Sequence, residues 1–301
     1  MPNTPYLPVF TTPAAEAETM AVYQSMLARW PVPFTEMMIP TSFGDTHVIA
    51  SGPEGAPPVI LLHAFYASVL TWLPTAGGLS GDFRVYAVDV LGEPGRSRPT
   101  QVIKTLDEQM QWLKELTDGL GAPKADVVGN SFGGYFSLAY ALRMPERVRK
   151  LVLIAPASTI HSMWPFYLNA FLPKFLLMFF PWFPGLRRWC LHSVDWMRNG
   201  APTDPQWEEL FKLIMQYGTG TRYLFPAVFP PEDLRRVATP TLLMIGDKEV
   251  IYPPEAAIRA AKKHMPNLRS AVIPNANHIA SLSQPELVNE QIRTFLCMDE
   301  S

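Results

Sequence analysis

The chain has 301 residues, 48% of them hydrophobic and 17% charged. That is enough apolar material for one large core, or for a core with a smaller appended subdomain. The formal net charge is −2 and the basic residues are scattered, which argues against a nucleic-acid partner, since such a partner selects a concentrated basic face.

Residues 1–18 (MPNTPYLPVFTTPAAEAE) carry neither a basic n-region nor a continuous apolar h-region. They read as sequence without a secretory signal, and a cytoplasmic location is expected. Thr12 and Pro13 form a cap and first-turn pair for a helix running to about Trp30, where Pro31 and Pro33 stop it. From 34 to 51 the pattern reads as two strands around the turn Ser42-Phe43-Gly44-Asp45.

Short apolar runs follow at 59–62, 85–88, 126–128, 148–154, 241–245 and 271–273. They are nearly uninterrupted, the pattern of strands covered on both faces. Helical segments lie between and after them at 106–120, 132–143, 255–264 and 285–296. This alternation predicts an α/β fold with a mostly parallel, doubly wound sheet, the two leading strands adding an antiparallel edge.

Residues 158–234 break the alternation. No strand-like run occurs there, and Trp164, Phe166, Tyr167, Phe171, Phe175, Phe179, Phe180, Trp182, Phe183, Trp189 and Trp196 crowd one part. The segment reads as a helical cap inserted between 1–157 and 235–301, the two parts of the core. Some of its aromatics should line the cleft beneath it, because ligand pockets are mostly apolar. The most apolar stretch, 175–186, is broken by two prolines and falls short of the roughly 20 residues a bilayer span needs. Cys190 and Cys297 follow neither a metal-ligand nor a redox spacing and read as reduced thiols.

The chemistry concentrates at 129–133, Gly129-Asn130-Ser131-Phe132-Gly133. A strand-like run precedes this G-x-S-x-G and a helix-compatible run follows, the setting of a strained turn that lifts a serine hydroxyl above a strand end. The Phe132 backbone N–H, at a helix start, would then face a developing oxyanion. A serine hydroxyl needs a base to take its proton. Of the six histidines, His278 follows the 271–273 run, at a strand's carboxyl end and before the last helix, and it completes a Ser…acid…His chain order. His63 also sits at a strand end but belongs to a different motif, and His47, His161, His192 and His264 default to surface or structural roles.

The imidazole requires a carboxylate, and the loop after 241–245 offers Asp247 and Glu249. If the turn aims the third residue past Gly246 at the histidine, that residue is Glu249, with Asp247 the alternative acid and otherwise a turn former. The second oxyanion donor is expected in the His63-Ala64-Phe65 loop, at the Phe65 N–H.

From Gly44 onward these residues resemble the α/β-hydrolase superfamily, nearest to bacterial carboxylesterases of the naproxen-esterase type. The segments that carry the likeness are FGDTHVIASGP with APPVILLHA, YAVDVLGEPGRS, GNSFGG, LRMPERV, and GDKEVIY with NANH. The resemblance implies the α/β-hydrolase fold, a sheet of about eight strands with a helical cap, no cofactor or metal, and hydrolysis of small-molecule carboxylic esters. It implies Ser131 as nucleophile, His278 as base and Glu249 as acid. One position departs: the family usually has glycine where this chain has Ala64, and a left-handed backbone there would cost about 1–2 kcal/mol. Ser131 argues against the dehalogenase and epoxide-hydrolase branches, which use aspartate at that place. Amidase, C–C hydrolase, acyltransferase and perhydrolase chemistry share the same triad, and a ligand-binding receptor on this scaffold is the rival of a different class. The aromatic cap suggests bulky apolar or aromatic substrate groups.

Overall fold

The computed structural model describes residues 5–298 except 181, 201–203 and 221–223, and leaves out the side chains of 170, 178, 190, 193, 194 and 198. Cys190 therefore lies outside the described side chains, whereas Cys297 is an exposed free thiol.

Among the described residues, nine strands form one sheet: β1 (Phe34–Thr41), β2 (Gly44–Ser51), β3 (Pro58–Leu62), β4 (Arg84–Val88), β5 (Arg98–Pro99), β6 (Ala125–Asn130), β7 (Val148–Ile154), β8 (Thr241–Gly246) and β9 (Leu268–Ile273). Their order is β1-β2-β4-β3-β6-β7-β8-β9, with the two-residue β5 beside β2. The β1–β2 hairpin and the β2–β4 pair are antiparallel, and every pair from β4 to β9 is parallel. The doubly wound sheet expected from the alternation is therefore present, and β5 is an addition to the expected strands.

The strand side chains divide strictly between two cores. Ile60 and Leu62 point into one and Val59 and Leu61 into the other, all four fully buried. Each such side chain stabilises the fold by about 1.5–3 kcal/mol, so β3 acts as the central brace. The first core is covered by α3 (Leu106–Gly119) and α4 (Phe132–Arg143); the second by α1 (Pro13–Leu27), α2 (Leu73–Leu79) and α12 (Pro285–Cys297). The reading of both-face burial does not hold for the last run: β9 is an edge strand, and Val272 remains 52% exposed.

The start of α1 is built as the sequence implied, with Thr12 Oγ1 accepting from the Ala15 N–H. At the start of α3, Thr105 with Glu108 closes a capping box. Between β7 and β8 lie α5 (Trp164–Phe166), a π-helical turn (Tyr167–Phe171), α6 (Leu172–Phe179), α7 (Pro184–Arg198), α8 (Pro205–Tyr217) and α9 (Pro231–Arg235). After β8 come α10 (Pro254–His264) and α11 (Ala280–Ser283). Arg29 at the end of α1 binds Asp204 and Gln206 at the start of α8, which ties this helical insertion to the body. Among the described residues no helix is long and apolar enough to cross a membrane.

Candidate active site

Ser131 links β6 to α4 with φ 49° and ψ −110°. An L-residue held there is strained by about 1–3 kcal/mol. Three backbone bonds hold it: the Ser131 N–H donates to Ile154 O at 2.9 Å, and Ser131 O accepts from the Ala157 N–H at 2.9 Å and the Tyr135 N–H at 3.1 Å. The turn also needs Gly133. A Cβ there would lie 2.0 Å from Leu62 O, so only glycine lets the start of α4 approach the end of β3 this closely. That approach brings the loop after β3, with Phe65, up to the start of the helix, with Phe132. The two rings meet edge to face at 5.5 Å.

His278 reaches the same point from the loop after β9. Its Nε2 is 2.9 Å from Ser131 Oγ, and its Nδ1 is 2.9 Å from Glu249 Oε2. A carboxylate only accepts, so Nδ1 carries the proton and Nε2 faces the serine as an acceptor. Glu249 Oε1 accepts from the N–H groups of Val250 at 2.8 Å and Ile251 at 3.0 Å. The carboxylate is thereby fixed on both oxygens. Ser131, His278 and Glu249 are all buried. The neighbouring Tyr252 phenol is pushed well above its ordinary pKa by burial and then by the Glu249 charge. It stays a neutral O–H that donates to Pro156 O at 3.3 Å.

The alternative acid does something else. Asp247 is exposed, and its Oδ1 accepts from the Ala276 N–H at 3.2 Å. Together with the Lys248 N–H on Ala276 O at 2.9 Å, it stitches the acid loop to the histidine loop.

His63, the other strand-end histidine, is buried. Its Nδ1 donates to Ala64 O at 2.8 Å and its Nε2 accepts from the Val90 N–H at 2.9 Å. Both ring nitrogens are thus engaged with backbone. Ala64 is not among the positive-φ residues; in this loop Tyr66 is, at 50°. The strain attached to a β-carbon at 64 therefore does not arise.

Sequence reasoning passed over what holds that loop. The Tyr66 N–H donates to the buried carboxylate of Glu93 at 3.0 Å, and the Tyr66 hydroxyl donates to Thr219 O at 2.8 Å. The buried Lys174 ammonium, from α6, sits 4.8 Å above the Tyr66 ring and donates to Met215 O and Gly218 O. A cation at the last carbonyls of α8 is the favourable end of a helix dipole. Nothing local in the sequence marks these long-range partners.

Two clefts meet at Ser131. The larger is lined by His278, Ile279, Trp207, Phe211, Met197 and Met215. The smaller is lined by Phe132, Met163, Tyr167, Phe171 and Phe225. Phe65 and Phe166 line both and stand edge to face at 6.4 Å. Asn130, whose buried Nδ2 has no partner among the described residues, lines the larger cleft. The walls are mostly apolar, with Thr71, Asn130 and Ser281 as polar lining besides Ser131 and His278, which suits a largely apolar organic molecule.

Residues 59–291 match the model of the alpha/beta hydrolase family. The chain is 37% identical over 284 residues to the uncharacterized carboxylesterase nap of Bacillus subtilis, covering 91% of this chain and 90% of that protein. It superimposes on the crystal structure of naproxen esterase (carboxylesterase NP) from Bacillus subtilis with a TM-score of 0.85 and 33% identity, covering 95% of this chain and 99% of the other. The crystal structure of carboxylesterase CesB (YbfK) from the same organism gives a TM-score of 0.82 at 30% identity, covering 94% and 99%. The chain belongs to the alpha/beta hydrolase family.

Proposed function

We propose that this protein is a carboxylesterase that works through an acyl-enzyme on Ser131. The observation that carries this reading is the continuous relay from Ser131 Oγ through His278 to Glu249, with both spacings at 2.9 Å. Ser131 Oγ attacks the ester carbonyl while His278 Nε2 takes its proton, and the carbonyl oxygen becomes an oxyanion. The Phe132 and Phe65 N–H groups are the proposed donors to it; one such donor contributes about 3–4 kcal/mol to lowering the barrier. Collapse breaks the bond to the alkoxy oxygen, which leaves with the proton from His278. Water then repeats the sequence on the acyl-enzyme and frees the acid and Ser131. Glu249 remains a carboxylate throughout, holding the imidazole tautomer and stabilising the imidazolium.

The leaving oxygen must lie within reach of His278, so the alcohol portion takes the larger cleft, which His278 lines. The acyl group then takes the smaller cleft, walled by Phe132, Tyr167, Phe171 and Phe225. Residues 158–234 act as the cap that closes both, and bulky apolar or aromatic acyl groups are the preferred substrates.

Stopped-flow hydrolysis of p-nitrophenyl esters tests the reading. The expected result is an acyl burst followed by steady turnover, with both absent in Ser131→Ala. One release event without turnover would identify a ligand receptor instead.

A further inference from the structure

Outside the clefts, the most unusual surface of the molecule is the outer face of α5–α7. Trp182 is 73% exposed, Trp164 65%, Phe179 58% and Phe183 57%, with Phe180 and Phe175 close behind. Apart from Phe34, every exposed phenylalanine or tryptophan among the described residues lies between 164 and 225. Single exposed apolar residues are ordinary, but this concentration of exposed rings, with Phe175 against Phe179 and Phe180 against Trp182, marks an interaction surface.

The face also carries a basic flank, although the whole chain is net negative. Arg187 and Arg188 are exposed and follow directly on the Trp182–Phe183 turn. Farther along, His192 and Lys212 line the same shallow groove as Arg188, with Asp195 as its one carboxylate.

The face continues inward. Ring contacts run from Phe179 to Phe175 at 5.0 Å, to Phe171 at 6.1 Å, to Tyr167 at 6.1 Å, to Phe166 at 6.4 Å and to Phe65 at 6.4 Å. The last three steps border the smaller cleft at Ser131. An unbroken apolar path therefore joins the exposed face to the candidate nucleophile.

We propose that this face docks on an anionic phospholipid surface and that ester substrates dissolved in the lipid enter along the ring path. Aromatic side chains partition to the headgroup level of a bilayer, and a basic flank adds attraction to anionic lipid. A second copy of the chain fits less well, because a two-fold contact through this face would bring Arg187 and Arg188 of both copies together. The delivery of substrate rests on the esterase reading, whereas the docking does not.

The test uses the full chain carrying Ser131→Ala, so that bound lipid is not consumed. It is floated with vesicles of phosphatidylcholine alone, or of phosphatidylcholine with about a third phosphatidylglycerol. Binding to the anionic vesicles is expected to be at least tenfold tighter and to weaken with added salt, as screening requires. Trp182→Ser with Phe183→Ser should weaken it at least tenfold. Arg187→Gln and Arg188→Gln should weaken it about fivefold per charge, the worth of one basic residue at such a surface. The same four substitutions in the active chain should leave turnover of a short water-soluble ester within about twofold, which shows that the fold is intact. Absence of vesicle binding, or binding indifferent to Trp182 and Phe183, overturns the proposal. So does a concentration-dependent dimer in sedimentation that Trp182→Ser dissociates. Vesicle binding without hydrolysis of any soluble ester would sink the esterase reading and leave the docking standing.

Discussion

The acid assignment makes the sharpest demand on the chemistry. Glu249→Gln preserves size and shape, and its amide oxygen can still accept from the Val250 and Ile251 N–H groups that now bond Oε1. With the oxygen held there, the introduced NH₂ faces His278 Nδ1 in place of Oε2. An NH₂ only donates, so Nδ1 must become the acceptor and the ring proton moves to Nε2, opposite Ser131 Oγ. The base then holds its proton where it should receive one, and the imidazolium has lost its counter-charge. We expect kcat to fall about 10³–10⁴-fold, equivalent to about 4–5.5 kcal/mol of barrier. Asp247→Asn keeps an oxygen that can accept the Ala276 N–H and removes only an exposed charge, so its kcat should change less than about threefold. Both are measured as steady-state kcat on a p-nitrophenyl ester, with thermal melts to confirm that each variant is folded. A Glu249→Gln enzyme keeping a tenth of its activity beside a crippled Asp247→Asn would transfer the acid role to Asp247.

Three further outcomes follow from the same coordinates. Gly133→Ala places a methyl 2.0 Å from Leu62 O, and the resulting shift between α4 and β3 should lower kcat at least about 100-fold, since displacements near 1 Å have that effect; unchanged turnover would refute the packing argument. Ser131→Gly should be more stable than Ser131→Ala by about 1 kcal/mol in urea melts, because glycine accepts φ 49° without the strain the alanine keeps, and both should be inactive. Asp89 is buried, which by itself raises its carboxyl, yet the hydrogen bond and charge of His47 and the Val69 N–H outweigh burial and lower it from 3.8 to about 2. Its contribution of about 2 kcal/mol is therefore complete above about pH 4 and is lost as the pH falls toward 2. Urea melts across that window should show a steeper acid limb for the unmodified chain than for Asp89→Asn.

The parts of this molecule that were legible in the sequence share one property: their signal is local. The bend at Ser131 is written in five consecutive residues between a β-run and a helical run, and α4 spans the expected 132–143. Thr12-Pro13 announces its helix within one turn. Glu249 was selectable from Asp247 because the choice depends on a three-residue turn after Gly246. Where tertiary contacts overrule local preference, the reading failed. The helix α2 (LPTAGGL) contains a proline and two glycines and has little intrinsic tendency to form. It exists because Thr75, Ala76 and Leu79 are buried against the second core and because Gly78 lets Asn289 of α12 lie close against it. The two-residue β5 owes its place to Gly44 and Asp45, more than fifty residues earlier.

Lys174 carries the same argument into the site. In sequence it is the lone charge in an aromatic stretch, with nothing local to mark a partner. In the structure it is only 4% exposed, an outcome that requires partners, because an ammonium withdrawn from water without them is prohibitively costly. Those partners are Met215 O at 2.6 Å and Gly218 O at 2.7 Å, some forty residues on, with the Tyr66 ring beneath. The cation therefore joins α6, the end of α8 and the loop that carries Phe65. None of these three neighbours another in sequence, so their relation appears only when the chain is folded. The same contact explains why the wall of the cleft and the proposed oxyanion loop are held in one geometry: to move either, the chain must expose or abandon a buried positive charge.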